Sequence, residues 1–263
     1  MTGHVDVQFE DRTGGRVARL TLDNAARLNT LNSALMERFV AAVDGLAADG
    51  TLRAVVLTGA GGRAFIGGAD IDEMAGLDAA SARAFITRVH RCCAALRDLP
   101  VPVIARIDGY VLGAGLEVAA ACDLRAASQG SVFGMPEVKL GIPSVVEAAL
   151  LPTLVGWGRT REMLLIGETF PAEEAARWGL VEKLAPAEGL DAAVDGWLDG
   201  LLAAKPEAVR LQKALMRRWE ELPMGQAIAA GIDAFAQAWA GPEPREAMAG
   251  FLAEREARRR AKG

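Results

Sequence analysis

Twice in this chain a short apolar run opens into a glycine-dense loop and closes into a helical pattern. The first run is Ala54-Val55-Val56-Leu57-Thr58, followed by five glycines between Gly59 and Gly68 and then by Asp70. The second covers residues 101–107, followed by Gly109, Gly113 and Gly115 and a short helix over Ala114–Ala121. Short continuous apolar runs read as strands covered on both faces. A repeated strand, glycine loop and helix therefore implies an α/β core. A hairpin precedes it: Val5, Val7 and Phe9 alternate, Asp11 to Gly15 turns, and Val17 to Leu22 alternates again. From Asn32 the period lengthens, and Leu35, Phe39, Val43 and Leu46 mark one helical face ending near Asp49-Gly50. Residues 79–98 give a second helix, closed off by Pro100. Residues 123–126, 131–133 and 181–184 read as further short strands.

From about Ser144 onward helical spacing dominates. Leu201, Val209, Leu211, Leu215, Ile228, Phe235 and Trp239 recur at helix-like intervals with no further glycine loops. The chain thus divides into an α/β core over 1–200 and a helical C-terminal region over 201–263. That region covers the core, a neighbouring subunit, or both, with Lys205-Pro206 as a hinge. Hydrophobic residues at 51% and charged ones at 24% suit a globular protein in water. A net charge of −5 argues against nucleic acid as the main partner, which calls for a basic face. No apolar run spans a bilayer, and Met1 to Asp6 has neither the basic nor the apolar part of a secretion signal. Cys92 and Cys93 are adjacent and Cys122 stands apart, an odd set without a disulfide framework, so a reducing cytoplasm is the simplest address. His90 beside the cysteine pair lacks a second convergent pair of ligands and reads as packing rather than metal binding.

The chemistry is carried by two glutamates in apolar surroundings. Glu117 follows Gly113-Ala114-Gly115-Leu116, and Glu137 follows Phe133-Gly134-Met135-Pro136. Two carboxyls in one pocket move protons on both sides of a reacting double bond. The loops Arg63 to Ile71 and Gly109 to Gly115 each lead into a helix start, where unpaired N–H donors and a partial positive charge favour a developing oxyanion. The plainer readings are that the glycines serve tight turns, that Glu137 caps one, and that Glu117 pairs with a buried Arg106 or Arg125. Glu147 reads as an acid serving a helix dipole, and Glu254 to Arg260 as a solvated, charge-laced helix end.

In their order, four segments resemble the enoyl-CoA hydratase/isomerase (crotonase) family: Leu22 to Asn32, Ala64 to Ile71, Asp108 to Glu117, and Phe133 to Glu137 with Leu140-Gly141-Ile142-Pro143. A weaker match runs from Ala172 to Val181. The resemblance implies a crotonase-like spiral of ββα units with a helical C-terminal region, assembled as a homotrimer or a dimer of trimers. It implies an acyl-CoA thioester substrate, with coenzyme A carried by the substrate and no metal or redox cofactor. Matched residue by residue, the oxyanion donors are the backbone N–H groups of Ala69 and Ala114. The CoA arm runs along Arg27, Leu28, Gly67, Gly68, Asp70, Ile71 and Gly113, and the catalytic acids are Glu117 and Glu137. Family hydratases carry glutamate at both acidic positions, so hydration of a 2-enoyl-CoA to a 3-hydroxyacyl-CoA is the leading expectation. Δ3/Δ2 double-bond isomerisation, another crotonase-type reaction, and a non-catalytic scaffold on the same fold are the alternatives. This chain departs from the pattern after Pro143, where Ser144-Val145-Val146-Glu147-Ala148-Ala149 replaces a glycine-rich stretch and adds a third acid. Ala25 and Ala26 replace the usual proline and basic residue, and Asp108 stands where asparagine is common.

Overall fold

The computed structural model describes residues 3–260. The hairpin forms as its alternation predicts: β1 (His4–Arg12) and β2 (Gly15–Asp23) pair antiparallel, from His4 opposite Asp23 to Arg12 opposite Gly15. Helix α1 (Ser33–Ala47) starts where the Asn32 side chain accepts from the Leu35 N–H at 2.8 Å. It buries Leu35, Met36, Phe39, Val43 and Leu46, the stripe read from the sequence plus one methionine.

A two-strand-plus-helix unit then recurs. β3 (Leu52–Gly59) and β4 (Ala64–Ile66) lead to α2 (Ile71–Met74) and α3 (Ala79–Asp98). β5 (Val103–Ile107) and β6 (Tyr110–Leu112) lead to α4 (Ala114–Ala121). β7 (Leu124–Ser128) and β8 (Val132–Gly134) lead through one-turn 3-10 helices, Glu137–Leu140 and Val146–Leu150, to α5 (Leu151–Ile166). The first strand of each unit joins one sheet and the second joins another. With β9 (Thr169–Pro171), α6 (Ala172–Trp178) and β10 (Lys183–Ala185), the orders are β1-β2-β3-β5-β7-β10 and β4-β6-β8-β9. Each unit advances one strand along both sheets, which makes a spiral of ββα units. Strands β3, β5, β7 and β10 run parallel, as do β4, β6 and β8.

Several strand boundaries differ from the sequence reading by a residue or two, and in two of them the bonding shows why. The strand expected from residue 101 begins at Val103, because Pro102 has no N–H for a ladder and contributes only its carbonyl, to Val55 N–H at 2.9 Å. The strand expected over 181–184 begins at Lys183. Leu180 and Val181 are instead spent on the turn after α6, where both their N–H groups bond the Ala175 carbonyl.

Helix α7 (Leu190–Ala203) spans the boundary between two compact units, Met1–Gly200 and Leu201–Gly263. The second unit holds α8 (Pro206–Trp219), α9 (Met224–Ala238) and α10 (Glu243–Arg260), with Pro206 in the first turn of α8. Glu243 caps α8 through the N–H groups of Glu207 and Ala208. The end of α10 is exposed and carries Glu254–Arg258 and Glu256–Arg260 pairs, the charge-laced ending its sequence suggests. Ile228, Ile232 and Phe235 on α9 and Phe251 on α10 are also exposed. Among the described residues no helix is long and apolar enough to cross a membrane.

Candidate active site

Three neighbouring parallel strands, β4, β6 and β8, end at one edge of the second sheet. The segments leaving that edge are Gly67 to Asp70, Gly113-Ala114 and Met135 to Glu137. Ligands of open α/β sheets gather outside the carboxyl ends of the strands, so topology alone brings the glycine loops and one acid together.

The first loop is held from the side by the chain before α1. Gly67 N–H bonds Leu28 O at 2.8 Å, Leu31 N–H bonds Gly68 O at 2.8 Å, and Asp70 N–H bonds Leu31 O at 2.9 Å. Ala69 lies between the last two bonds, bridged to Leu31, so its own N–H turns away from Leu31. Leu28 and Asn29 accept left-handed φ values of 56° each to make this docking turn. The Asn29 side chain compensates by donating to Ala60 O and Ala64 O and accepting from Asn24 N–H. Asp70, 4% exposed, caps α2 by accepting from Glu73 N–H at 3.2 Å. The Arg27 guanidinium reaches Asp70 and Asp72, while Ile71 is exposed. Arg27, Leu28, Gly67, Gly68 and Asp70 therefore lie together, with Ile71 adjoining.

In the second loop Gly113 has φ 51° and ψ −120°, a conformation closed to residues with a Cβ. Its N–H bonds Gly134 O, and its carbonyl receives the N–H groups of Leu116 and Glu117. Gly113 has no side chain to cap α4. Among the described residues neither the Ala114 N–H nor the Ala69 N–H has an acceptor in the protein. Gly115 lets α4 rest directly on β4, since a Cβ there would collide with the Ile66 carbonyl.

Glu137 lies over Gly113, close enough to Glu117 for its charge to act on it. A Cβ on that glycine would lie 2.5 Å from Glu137 Oε1, and Glu137 Oε2 accepts from Ser144 Oγ at 2.8 Å. Glu117 is 3% exposed, one turn into α4. Burial pushes its carboxyl from the ordinary 4.5 up to about 8; the charges of Glu137 and Glu147 add to the push, and the backbone amides of Ala148 and Val145 oppose it. Neither arginine considered from the sequence engages it. Arg125 binds Glu182 and the carbonyls of Leu180, Cys122 and Ala119, and Arg106 pairs with Asp191 at 2.6 Å. A buried acid displaced by desolvation and a like charge, beside unpaired amides, is the arrangement that proton-transfer catalysis requires.

Two partnerships escaped the sequence reading. Ser144 holds Glu137, and His90 Nδ1 lies 2.8 Å from Oε1 of the buried Glu147. Glu147 does begin a one-turn helix, but its carboxyl is spent on His90 rather than on the helix dipole. The available signal was an acid flanked by Val145, Val146, Ala148 and Ala149, where solvent offers no reason for a charge. Cys92, Cys93 and Cys122 are buried thiols outside any disulfide, and burial pushes the Cys92 thiol up to about 12 and that of Cys93 well above its ordinary value. Among the described residues no group of three or more His, Cys, Asp or Glu side chains could hold a metal ion.

Fold and site describe an α/β protein with a buried, raised carboxyl near a second acid and two backbone N–H groups without an acceptor among the described residues. Residues 12–260 match the family described as Enoyl-CoA hydratase/isomerase. A short-chain-enoyl-CoA hydratase of Clostridium acetobutylicum is 34% identical over 92% of this chain and 93% of its own. A crotonyl-CoA hydratase of Syntrophomonas wolfei is 33% identical over 92% and 94%. The crystal structure of an enoyl-CoA hydratase from Bacillus anthracis superposes with a TM-score of 0.90 at 28% identity, covering 95% of this chain and 96% of that one. The chain belongs to the enoyl-CoA hydratase/isomerase family and is an enzyme of enoyl-CoA hydratase type with the crotonase fold.

Proposed function

We propose that this enzyme adds water across the 2,3 double bond of a 2-enoyl-CoA, giving the 3-hydroxyacyl-CoA. The observation that carries the reading is the buried Glu117 with its raised proton affinity, within reach of the charge of Glu137, which lies over Gly113 beside the unpaired Ala114 amide. The N–H groups of Ala69 and Ala114 donate to the thioester oxygen, polarising the carbonyl so that C3 becomes electrophilic, and stabilise the enolate that forms when water adds. Glu117 takes a proton from the attacking water, and Glu137, oriented by Ser144, delivers one to C2. Arg27, Leu28, Gly67, Gly68, Asp70, Ile71 and Gly113 line the path of the CoA arm. These steps call for neither a metal nor a redox cofactor, and coenzyme A arrives as part of the substrate. A carboxyl that holds its proton up to about pH 8 acts as a base only above that range, so kcat/KM falls as pH drops through it.

The exposed apolar residues of α9 and α10 suit a homotrimer or a dimer of trimers, an assembly that would cover them. Three cysteines outside any disulfide suit the cytoplasm. The test is loss of the conjugated-thioester absorbance of crotonyl-CoA on adding enzyme, with 3-hydroxybutyryl-CoA as product. Conversion of a 3-enoyl-CoA without hydration of the 2-enoyl isomer would assign isomerisation instead. No binding of either thioester would leave a scaffold.

A further inference from the structure

The geometry points to His90 and Glu147 as a positioning pair for Glu117: together they fix the turn that seats its carboxyl and hold a second negative charge against it. The inference rests on the reading of Glu117 as the base.

Two energetic liabilities fall on adjacent residues here. Glu147 is 4% exposed, and its Oε2 has no hydrogen-bond partner among the described residues. A buried, unsatisfied oxygen is costly, the more so on an acid. Val146 has φ 40°, a left-handed value that a β-branched side chain adopts only when its surroundings impose it. What imposes it is the packing of the Val146–Leu150 helix against α3, α4 and α5, together with a long-range bond from Glu147 Oε1 to the ring of His90 on α3, 57 residues earlier in the chain. That bond ties the turn to α3. The turn in its place presents Val145 and Ala148, whose amides oppose the other influences on the Glu117 carboxyl, and Glu147 lies between those two residues. Strain and an unsatisfied acid thus converge on one group, the carboxyl of Glu117.

The charges facing Glu117 from the packed elements are few. Glu137 approaches from the 3-10 helix Glu137–Leu140, and Glu147 from the helix Val146–Leu150. Cys92 and Cys93 lie on α3, and Cys122 follows α4. The raised thiols of Cys92 and Cys93 stay neutral across the working range. Arg125, at the far end of α4, is engaged by Glu182. Glu137 and Glu147 are the acids whose ionised forms act on Glu117; Glu137 is the one that gives up a proton in turnover, and Glu147 is the one anchored through His90 to the surface, where the ring is 54% exposed.

The experiment compares kcat/KM for 2-enoyl-CoA hydration between pH 5.5 and 10 in Glu147→Gln and His90→Gln. Glu147→Gln keeps the shape and removes the charge. Its acid limb should move to lower pH by about half a unit or more, with KM little changed, since removing a like charge favours ionisation of Glu117. His90→Gln keeps the Glu147 charge and removes the ring, so kcat should fall about fivefold or more while the limb does not move acidward. Equal loss at every pH in Glu147→Gln, with the limb fixed, is what a purely structural residue would give and would overturn the pair. Carboxyl titration of 13C-glutamate-labelled protein supplies a readout without turnover. A Glu117 resonance titrating identically in wild type and Glu147→Gln also overturns the pair. Full turnover by Glu117→Gln would remove the base reading itself, so the two failures are distinguishable.

Discussion

Glu117→Gln should be nearly inactive and yet more stable than the parent. The amide fills the same space but cannot accept the water proton, and loss of a general base costs about 10²–10⁴ in rate. Stability moves the opposite way. Folding raises the proton affinity of this carboxyl from 4.5 to about 8. Between those values the unfolded chain has given up the proton and the folded one has kept it, so stability falls as pH rises through the window, and the loss is complete above about 8. At about 1.4 kcal/mol per tenfold change in proton affinity, the neutral amide relieves the fold of about 3–5 kcal/mol at pH 9. Thermal melts should show Glu117→Gln above wild type at pH 9, with the gap closing toward pH 4.5. Equal melting temperatures at pH 9 would mean that Glu117 is not held at an energetic cost.

Ala114→Pro isolates the backbone donor. Ala114 is the first residue of α4, a position where proline fits and where the N–H has no helical partner to lose. The preceding Gly113 tolerates the restriction that proline imposes on its neighbour. The substitution therefore deletes the donor and puts a ring carbon in the space the hydrogen faced, while the helix keeps its bonds. If that N–H holds the thioester oxygen in the transition state, kcat/KM should fall by about 10²–10³, equivalent to about 2.7–4 kcal/mol. Ala114→Gly, which keeps the donor, should retain most activity. Equal rates in the proline variant and wild type would remove Ala114 from the oxyanion site. A melt on the same sample separates loss of the donor from loss of the helix.

Much of the fold was legible because its determinants are local. The 79–98 periodicity and its Pro100 stop mark α3, and the hairpin alternation gives β1 and β2. The Gly113 to Glu117 segment names its own helix start, because a positive φ followed by uncapped amides leaves a glycine in the sequence. Strand limits at Val103 and Lys183 were not legible, since pairing depends on which neighbouring N–H and C=O groups are already taken. The same holds for the site. Each glutamate announces itself by its apolar flanks, but sequence order does not put Glu137 over Gly113 or seat Glu117 against the turn of Val145 and Ala148. His90 and Glu147 are 57 residues apart and meet only once α3 and the turn before α5 are packed. Arg27 is placed along the CoA arm by resemblance alone, and folding adds Asp70 and Asp72 as partners of its guanidinium.

The three sheltered thiols make the native enzyme slow prey for alkylating reagents, which attack the ionised, accessible sulfur. Iodoacetamide uptake at neutral pH consequently counts the molecules that have opened, offering a clock for unfolding that needs no dye, no substrate and no engineered label.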